Sequence, residues 1–208
     1  MDTPIANGNP HRFFDPSLDP QCAGARVDVV SNHFLGVSHM ALKDPLTKAV
    51  RVDRSSVVVR ICTSWGNIGT DTQPIIRTGW GVYAGPRSSY NASGIMSADE
   101  VQTIHRAEAQ AFENAINFVL HMHMQNLGLR RFTIMLRSDY LVNAITRDGM
   151  DSSGKPVVHP KPLETAFSWF NLLEQAGISI RLWSANWDML RSARLLASKA
   201  LLNQSERQ

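Results

Sequence analysis

The feature that most constrains this 208-residue chain is a long amphipathic segment at residues 103–127. Its apolar positions recur at spacings of four, four, three and four: Ala107, Ala111, Ala115, Phe118 and Met122. This period is that of one face of an α-helix, and such a face has to be buried against a second layer of structure. Gly128 follows at a position typical of a helix end.

Short apolar runs rich in β-branched residues supply that second layer. We expect strands near residues 56–62, 79–84, 89–95, 132–138 and 178–183, and further helices near 140–146, 161–176 and 188–202. The predicted order is three strands in a meander, a helix, a strand, two helices, a strand and a helix. The alternation in the second half favours parallel pairing there.

The composition is that of a globular protein, with 43% hydrophobic and 19% charged residues. A net charge of +3 permits a nucleic-acid partner without requiring one. Two cysteines, Cys22 and Cys62, are too few for a disulfide framework. We therefore expect an intracellular protein of the cytoplasm or nucleus that is not secreted and has no membrane partner, because neither a signal segment nor a membrane span is visible.

The first part of the chain has a different character. Residues 1–25 contain four prolines, which predicts a surface arm or tail, and Phe13 and Phe14 are candidates to anchor it to the body. Residues 26–54 contain two possible short strands. We divide the chain into an N-terminal extension, 1–54, which is Pro-rich at its start, and a domain, 55–208.

Several local motifs in this domain point to one family. Gly-Trp-Gly-Val occupies 79–82, Arg-Ala-Glu opens the long helix at 106–108, and Arg-Ser-Asp ends a strand at 137–139. Gly-Lys-Pro-Val at 154–157 and Leu-Leu-Ala-Ser-Lys-Ala at 195–200 follow in the expected places. Together they resemble the ribonuclease H type 1 family. The resemblance implies an α/β ribonuclease-H-like fold, with a five-stranded mixed sheet flanked by helices.

It also implies a chemistry. Enzymes of the family hydrolyse phosphodiester bonds with two divalent cations, Mg²⁺ or Mn²⁺, held by carboxylate oxygens. In the family four acidic residues bind these cations. They come from the first strand, the first helix, the fourth strand and the last helix. If this chain is active it needs those cations, and if it is inactive it needs none.

Carried over one position at a time, the acid set is incomplete. Glu108 matches the first-helix acid and Asp139 the fourth-strand acid. Cys62 or Thr63 stands at the first-strand position, and Arg194 at the last-helix position. Two of four metal ligands are replaced, one by a cation. Asp71 and Asp188 are acidic alternatives, although Asp188 is typical of a helix N-cap.

Some of these residues also have structural interpretations. Glu108 is either a former active-site residue or a solvated helix residue, and Asp139 is either a site residue or a helix N-cap. Cys62 is better explained as a core thiol than as a nucleophile. Trp80 and Trp183 are expected in the core. The predicted nucleic-acid contacts are Trp65, Asn67, Thr103, Arg106, Trp187 and Arg194.

Three functions fit this pattern. The first is a ribonuclease-H-like domain that binds an RNA/DNA hybrid or structured RNA and is impaired or inactive in cleavage. The second is an active metal-dependent hybrid endoribonuclease with a non-standard acid set. The third is a protein-interaction module with a protein partner. The basic charge and Arg194 favour the first, because a cation can take a metal's place beside phosphate.

Overall fold

A computed structural model describes residues 10–22, 24–69, 72–150, 155 and 161–205. In this part of the chain seven strands form one sheet, flanked by four helices. The strands are β1 (Arg26–Asn32), β2 (Val37–Lys43), β3 (Val50–Asn67), β4 (Ile76–Tyr83), β5 (Ala92–Ile95), β6 (Arg131–Leu136) and β7 (Ser179–Ser184). The helices are α1 (Ile104–Met124), α2 (Asp139–Thr146), α3 (Lys161–Gln175) and α4 (Trp187–Ser205).

The 18-residue strand β3 organises the sheet. It pairs in parallel with β6, which pairs in parallel with β7, and it pairs antiparallel with both β2 and β4. Val58 pairs with Ser38 of β2 on one side and with Thr133 of β6 on the other, so β2 and β6 lie on opposite sides of β3. β4 pairs with β3 on the same side as β2, from Arg60 onward. Strands β1 and β5 complete the sheet outside β2 and β4.

The predicted fold class and the predicted element order from residue 55 onward are confirmed. The sheet has seven strands rather than five, because residues 26–43 contribute β1 and β2. Most residues of β1 are only half-buried, so its sequence lacks the clear apolar alternation that predicts a strand. The division of the chain at residue 54 stays a prediction. The predicted loop motif at 154–157 lies outside the described residues, apart from Lys155.

Each face of the sheet has its own core. Val57 and Val59 of β3 belong to the cluster on the α1 and α3 side, which includes Phe112 and Phe170. Val58 points the other way, into a smaller cluster that also contains Trp183. Trp183 is buried as predicted, and Trp80 packs half-buried against the larger cluster. The alternation along β3 therefore separates the two layers.

The arm predicted at the N-terminus lies on the body in its described residues. Phe14 is buried, its backbone N–H donates to Leu182 O at 2.7 Å, and its ring meets Trp183 edge-on at 5.2 Å. Arg12 is also buried and forms ion pairs with Glu174 and Asp148. The prediction that Phe14 anchors the arm is confirmed. None of the described helices is long and apolar enough to cross a membrane.

We expect Phe14→Ala to lower the free energy of unfolding by about 3–5 kcal/mol, because it removes a buried aromatic side chain. Chemical denaturation measures the change. Phe14→Leu should lower the free energy of unfolding much less. Leu18→Ala, at an exposed position of the same arm, should change it by no more than about 0.5 kcal/mol. A loss below about 1 kcal/mol for Phe14→Ala would show that the arm adds little to the core.

Candidate nucleic-acid interface

A cleft of about 710 Å³ opens where β3 and β6 approach their carboxyl ends, between α1 and α4. Residues 61–65 of β3 form its floor. Ile104, Glu108 and Ala111 of α1 form one wall, and Trp187, Leu190 and Arg194 of α4 form another. Residues 136–138, at the carboxyl end of β6, close the end of the cleft. Ligands of open α/β sheets bind outside the carboxyl ends of the strands, so the location is that of a functional site.

Two glycines of β4 let α4 come close enough to build this cleft. A Cβ atom on Gly81 would lie 2.3 Å from Ala193 O, and one on Gly79 would lie 2.7 Å from Ala197 O. Gly81 is the partner of Cys62 in the β3–β4 register. The Gly-Trp-Gly-Val motif thus has a packing reason, because it brings the helix that carries Arg194 over the strand that carries Cys62.

Glu108 projects into the cleft and is held by two contacts. Its side chain is only 13% exposed, and its Oε2 accepts a 2.7 Å hydrogen bond from Ser138 Oγ. His105 Nδ1 lies 3.2 Å from the same oxygen. The interpretation of Glu108 as a solvated helix residue is therefore wrong. Ser138 was not predicted as a site residue, and it links α1 to the end of β6.

Asp139 is placed differently from Glu108. Ser138 is the N-cap of α2, since its Oγ accepts from Leu141 N at 3.2 Å, and Asp139 is the exposed first residue of that helix. The N-cap interpretation of Asp139 is wrong. Arg137 and Ser138 line the cleft, whereas Asp139 is not among its lining residues. The role of Asp139 as a metal ligand stays a prediction.

The motif explains why Arg137 was missed. In the ribonuclease H type 1 family, which this sequence resembles, the corresponding motif is Thr-Asp-Ser, with the acid directly before a serine. The serine here is Ser138. On that alignment Arg137 takes the place of the acid. The helix-capping hydroxyl was the signal that could have fixed the register, because a serine is a preferred N-cap residue.

Two guanidinium groups flank one tryptophan in this cleft. The Arg137 guanidinium carbon lies 4.9 Å from the Trp187 ring centroid, and that of Arg194 lies 5.5 Å from it. Both distances suit cation–π attraction. Within the described part of the chain, neither arginine forms an ion pair. Trp187 is 47% exposed and Trp65 is 66% exposed, so both predicted aromatic candidates present ring surface at the cleft.

The other predicted nucleic-acid contacts do not line the cleft. Asn67 Oδ1 accepts from the backbone N–H groups of Gly69 and Ile75 and stabilises a turn. Thr103 caps α1 by accepting from Arg106 N, and the Arg106 side chain forms a 2.8 Å ion pair with Glu100. Contacts of these three residues with nucleic acid stay predictions.

Neither of the two alternative acids, Asp71 and Asp188, is seen to add a metal ligand to the cleft. Asp71 lies outside the described residues. Asp188 is in the first turn of α4, exposed, and is not the predicted N-cap, because Asn186 accepts the capping hydrogen bond from Met189 N. A side chain that points to solvent at the start of α4 adds nothing to the donor atoms inside the cleft.

The groups in the cleft do not fit a pair of hard divalent cations. Among the described residues, no three His, Cys, Asp or Glu side chains are grouped to hold a metal ion. Burial raises the pKa of the Cys62 thiol, and Arg194 and Glu108 both act electrostatically on it. Cys62 is therefore a neutral thiol at neutral pH, a poor ligand for Mg²⁺, which prefers carboxylate oxygens. One carboxylate remains, Glu108, with Arg137 and Arg194 nearby.

No family model and no curated protein matches this chain. Among solved structures, LC11-RNase H1, isolated from compost by a metagenomic approach, matches with a TM-score of 0.50 and 14% identity, over 72% of this chain and 98% of that one. LC11-RNase H1 in complex with RNA/DNA hybrid matches with a TM-score of 0.49 and 16% identity, over 71% and 97%.

The foamy viral protease–reverse transcriptase in complex with RNA/DNA hybrid matches with a TM-score of 0.49 and 16% identity, over 70% of this chain. The match spans only 20% of that longer protein. At these identities the likeness shows the fold alone. The chain therefore has a ribonuclease-H-like α/β fold, and the resemblance read from its motifs is confirmed at that level.

We expect Gly81→Ala to destabilise the protein by about 1–3 kcal/mol, because the new methyl group meets the α4 backbone and the helix has to shift. Denaturation curves measure the loss in free energy of unfolding. Gly66→Ala is the matched control, since its Cβ would meet only Leu201 Cδ1, at 3.8 Å. Equal stability of the two variants would contradict the packing role of Gly81.

Proposed function

We propose that this chain is a nucleic-acid-binding domain of the RNA/DNA hybrid type that holds phosphate with arginines instead of metal ions and is impaired in cleavage. One observation carries the proposal: the cleft contains a single carboxylate, Glu108, and two arginines without ion-pair partners among the described residues, Arg137 and Arg194. Guanidinium groups recognise phosphate through paired, charge-assisted hydrogen bonds.

The aromatic groups of the cleft support the same ligand class. Trp65 and Trp187 present ring surface beside these cations. Aromatic side chains stack on nucleotide bases, and neighbouring cations contact the backbone, which is the usual combination in sites for nucleic acid. The hybrid as the particular ligand is proposed from the fold, which by itself does not determine function.

The charge of the cleft also supports impaired cleavage. Two-metal hydrolysis needs carboxylates to bring two divalent cations together and to neutralise them. Here one carboxylate, itself hydrogen-bonded to Ser138, would have to offset the repulsion between those cations and two guanidiniums. Coulomb repulsion between these like charges opposes metal binding in the cleft.

The intracellular location proposed from the sequence agrees with both cysteines being free thiols.

We expect the protein to bind an RNA/DNA hybrid without Mg²⁺, at least as tightly in EDTA as in Mg²⁺, with affinity that falls steeply as salt rises. Arg137→Ala and Arg194→Ala should each lower affinity about tenfold and reduce the salt slope by about one, because each removes one phosphate contact. Fluorescence anisotropy at several salt concentrations measures both quantities. Lys161→Ala, an exposed charge on α3, is the control and should leave both unchanged.

The same preparation should show no appreciable cleavage of a labelled hybrid in Mg²⁺ or Mn²⁺. Robust cleavage that Glu108→Gln abolishes would refute the impaired function and support an active nuclease. Absence of binding at low salt, with the fold intact by circular dichroism, would instead favour a protein-interaction module.

Restoring the acids tests the assignment of Arg137. We expect Cys62→Asp with Arg137→Asp and Arg194→Asp to gain Mn²⁺ binding measurable by calorimetry, because four carboxylates would then face one cleft. The double variant Cys62→Asp with Arg194→Asp keeps Arg137 and should bind Mn²⁺ at least about tenfold more weakly. Equal binding by the two variants would show that Asp139, not position 137, supplies the fourth-strand ligand.

A further inference from the structure

A second cavity, of about 460 Å³, lies at the opposite end of the parallel strands from the cleft. Its walls come from the N-terminal arm, β2, the first half of β3 and the beginnings of β6 and β7. We call it the arm pocket. Its charged lining residues are Asp19, Arg51, Asp53, Arg54, Arg131 and Arg181. Arg131, at the start of β6, lines the arm pocket, and Arg137, directly after β6, lines the cleft. Six residues of extended strand place the two sites about 20 Å apart.

The charges in the arm pocket do not balance. Arg131 pairs with Asp53 at 2.7 Å, and Arg181 pairs with Asp19 at 2.6 Å. Arg51 and Arg54 also line the pocket, and within the described residues their side chains form no ion pair or hydrogen bond. Two positive charges therefore remain in one concave site.

The pocket also offers donors that are already held in place. Arg181 uses only Nη1 in its contact with Asp19, so its Nε and Nη2 have no hydrogen-bond partner among the described residues. The guanidinium carbon lies over the Phe14 ring, 4.7 Å from its centroid. Gln21 of the arm accepts from Arg131 Nη1 at 2.9 Å. The carboxylates thus orient two arginines, and the unpaired arginines add net charge.

Cys22 lies near two of these arginines, Arg51 and Arg181. Cys22 is buried and lines the pocket, and burial raises the pKa of its thiol. Among the smaller influences, Asp19 acts in the same direction, whereas Arg181 and Arg51 act in the opposite one. Arg51 and Arg181, from different strands, therefore lie within electrostatic reach of the same thiol.

We propose that the arm pocket binds a phosphate monoester. A dianion matches the two excess positive charges, and guanidinium groups suit its oxygens. The volume is in the range of small-ligand sites, and Met40 and Leu42 give the pocket an apolar wall for the rest of the ligand. The group can come from a free nucleotide or from the phosphorylated end of a nucleic-acid strand. This site is independent of the hybrid-binding function proposed for the cleft.

Isothermal titration of the full chain with inorganic phosphate and with adenosine monophosphate tests the proposal. Arg51→Gln with Arg54→Gln should weaken phosphate binding at least about tenfold, because two charge-assisted contacts are removed. Lys161→Gln with Lys199→Gln removes two exposed charges elsewhere and should change it less than about twofold. The titrations use the chain with Arg137→Ala and Arg194→Ala, so that phosphate held by the cleft does not contribute to the signal.

Further titrations identify the source of the phosphate and distinguish the arm pocket from the cleft. A DNA oligonucleotide with a 5′-phosphate that binds more tightly than both adenosine monophosphate and the same oligonucleotide without it marks a strand-end site. Tighter binding of the monophosphate marks a nucleotide site, and either result supports the proposal. A blunt hybrid without terminal phosphates should bind equally to the Arg51/Arg54 variant and the unmodified chain. Undetectable phosphate binding in the chain with Arg137→Ala and Arg194→Ala, or binding there that Arg51→Gln with Arg54→Gln leaves unchanged, would overturn the proposal.

Discussion

The close approach of α4 to β4 is the contact on which the cleft depends. With no side chain at Gly79 and Gly81, the backbone of the helix lies directly on the strand. A further contact joins Ser198 Oγ of α4 to Ser64 Oγ of β3 at 3.1 Å. The helix is thus fixed over the floor of the cleft, and Arg194 can reach the space above Cys62. A larger side chain at either glycine would move the wall that defines the site.

Within that frame, Glu108 has a structural role that does not need a metal. It accepts from Ser138, and Ser138 caps α2, so the carboxylate connects α1 to the start of the next helix. Tyr140 lies close by, with its ring tilted against that of His105 at a centroid distance of 4.5 Å, and burial and Glu108 together raise its pKa. The carboxylate is therefore one part of a local polar network, and such networks are most stable when every member has a partner.

Sequence reasoning predicted the fold well where local and long-range signals agree. The stripe of α1, the apolar runs of β3 and β6 and the glycine motif all indicated the same architecture. It was less decisive where one residue of register decides the chemistry. Asp139 was chosen because it is the acidic member of Arg-Ser-Asp, but the cap formed by Ser138 leaves Arg137 in the cleft. β1 was not predicted with certainty because most of its residues are only half-buried and its sequence lacks a clear apolar alternation.

A cluster of four carboxylates repels itself unless cations neutralise it, so an acid set of that kind stores strain that metal binding relieves. The present cleft has no such conflict. Glu108 has hydrogen-bond partners, the thiol of Cys62 is neutral, and Arg137 and Arg194 rest against the ring of Trp187. The apo site is electrostatically consistent, and its excess positive charge is available to phosphate. A cleft that needs no cation to relieve repulsion keeps its shape in the absence of metal, which is the condition for a binding function separate from hydrolysis.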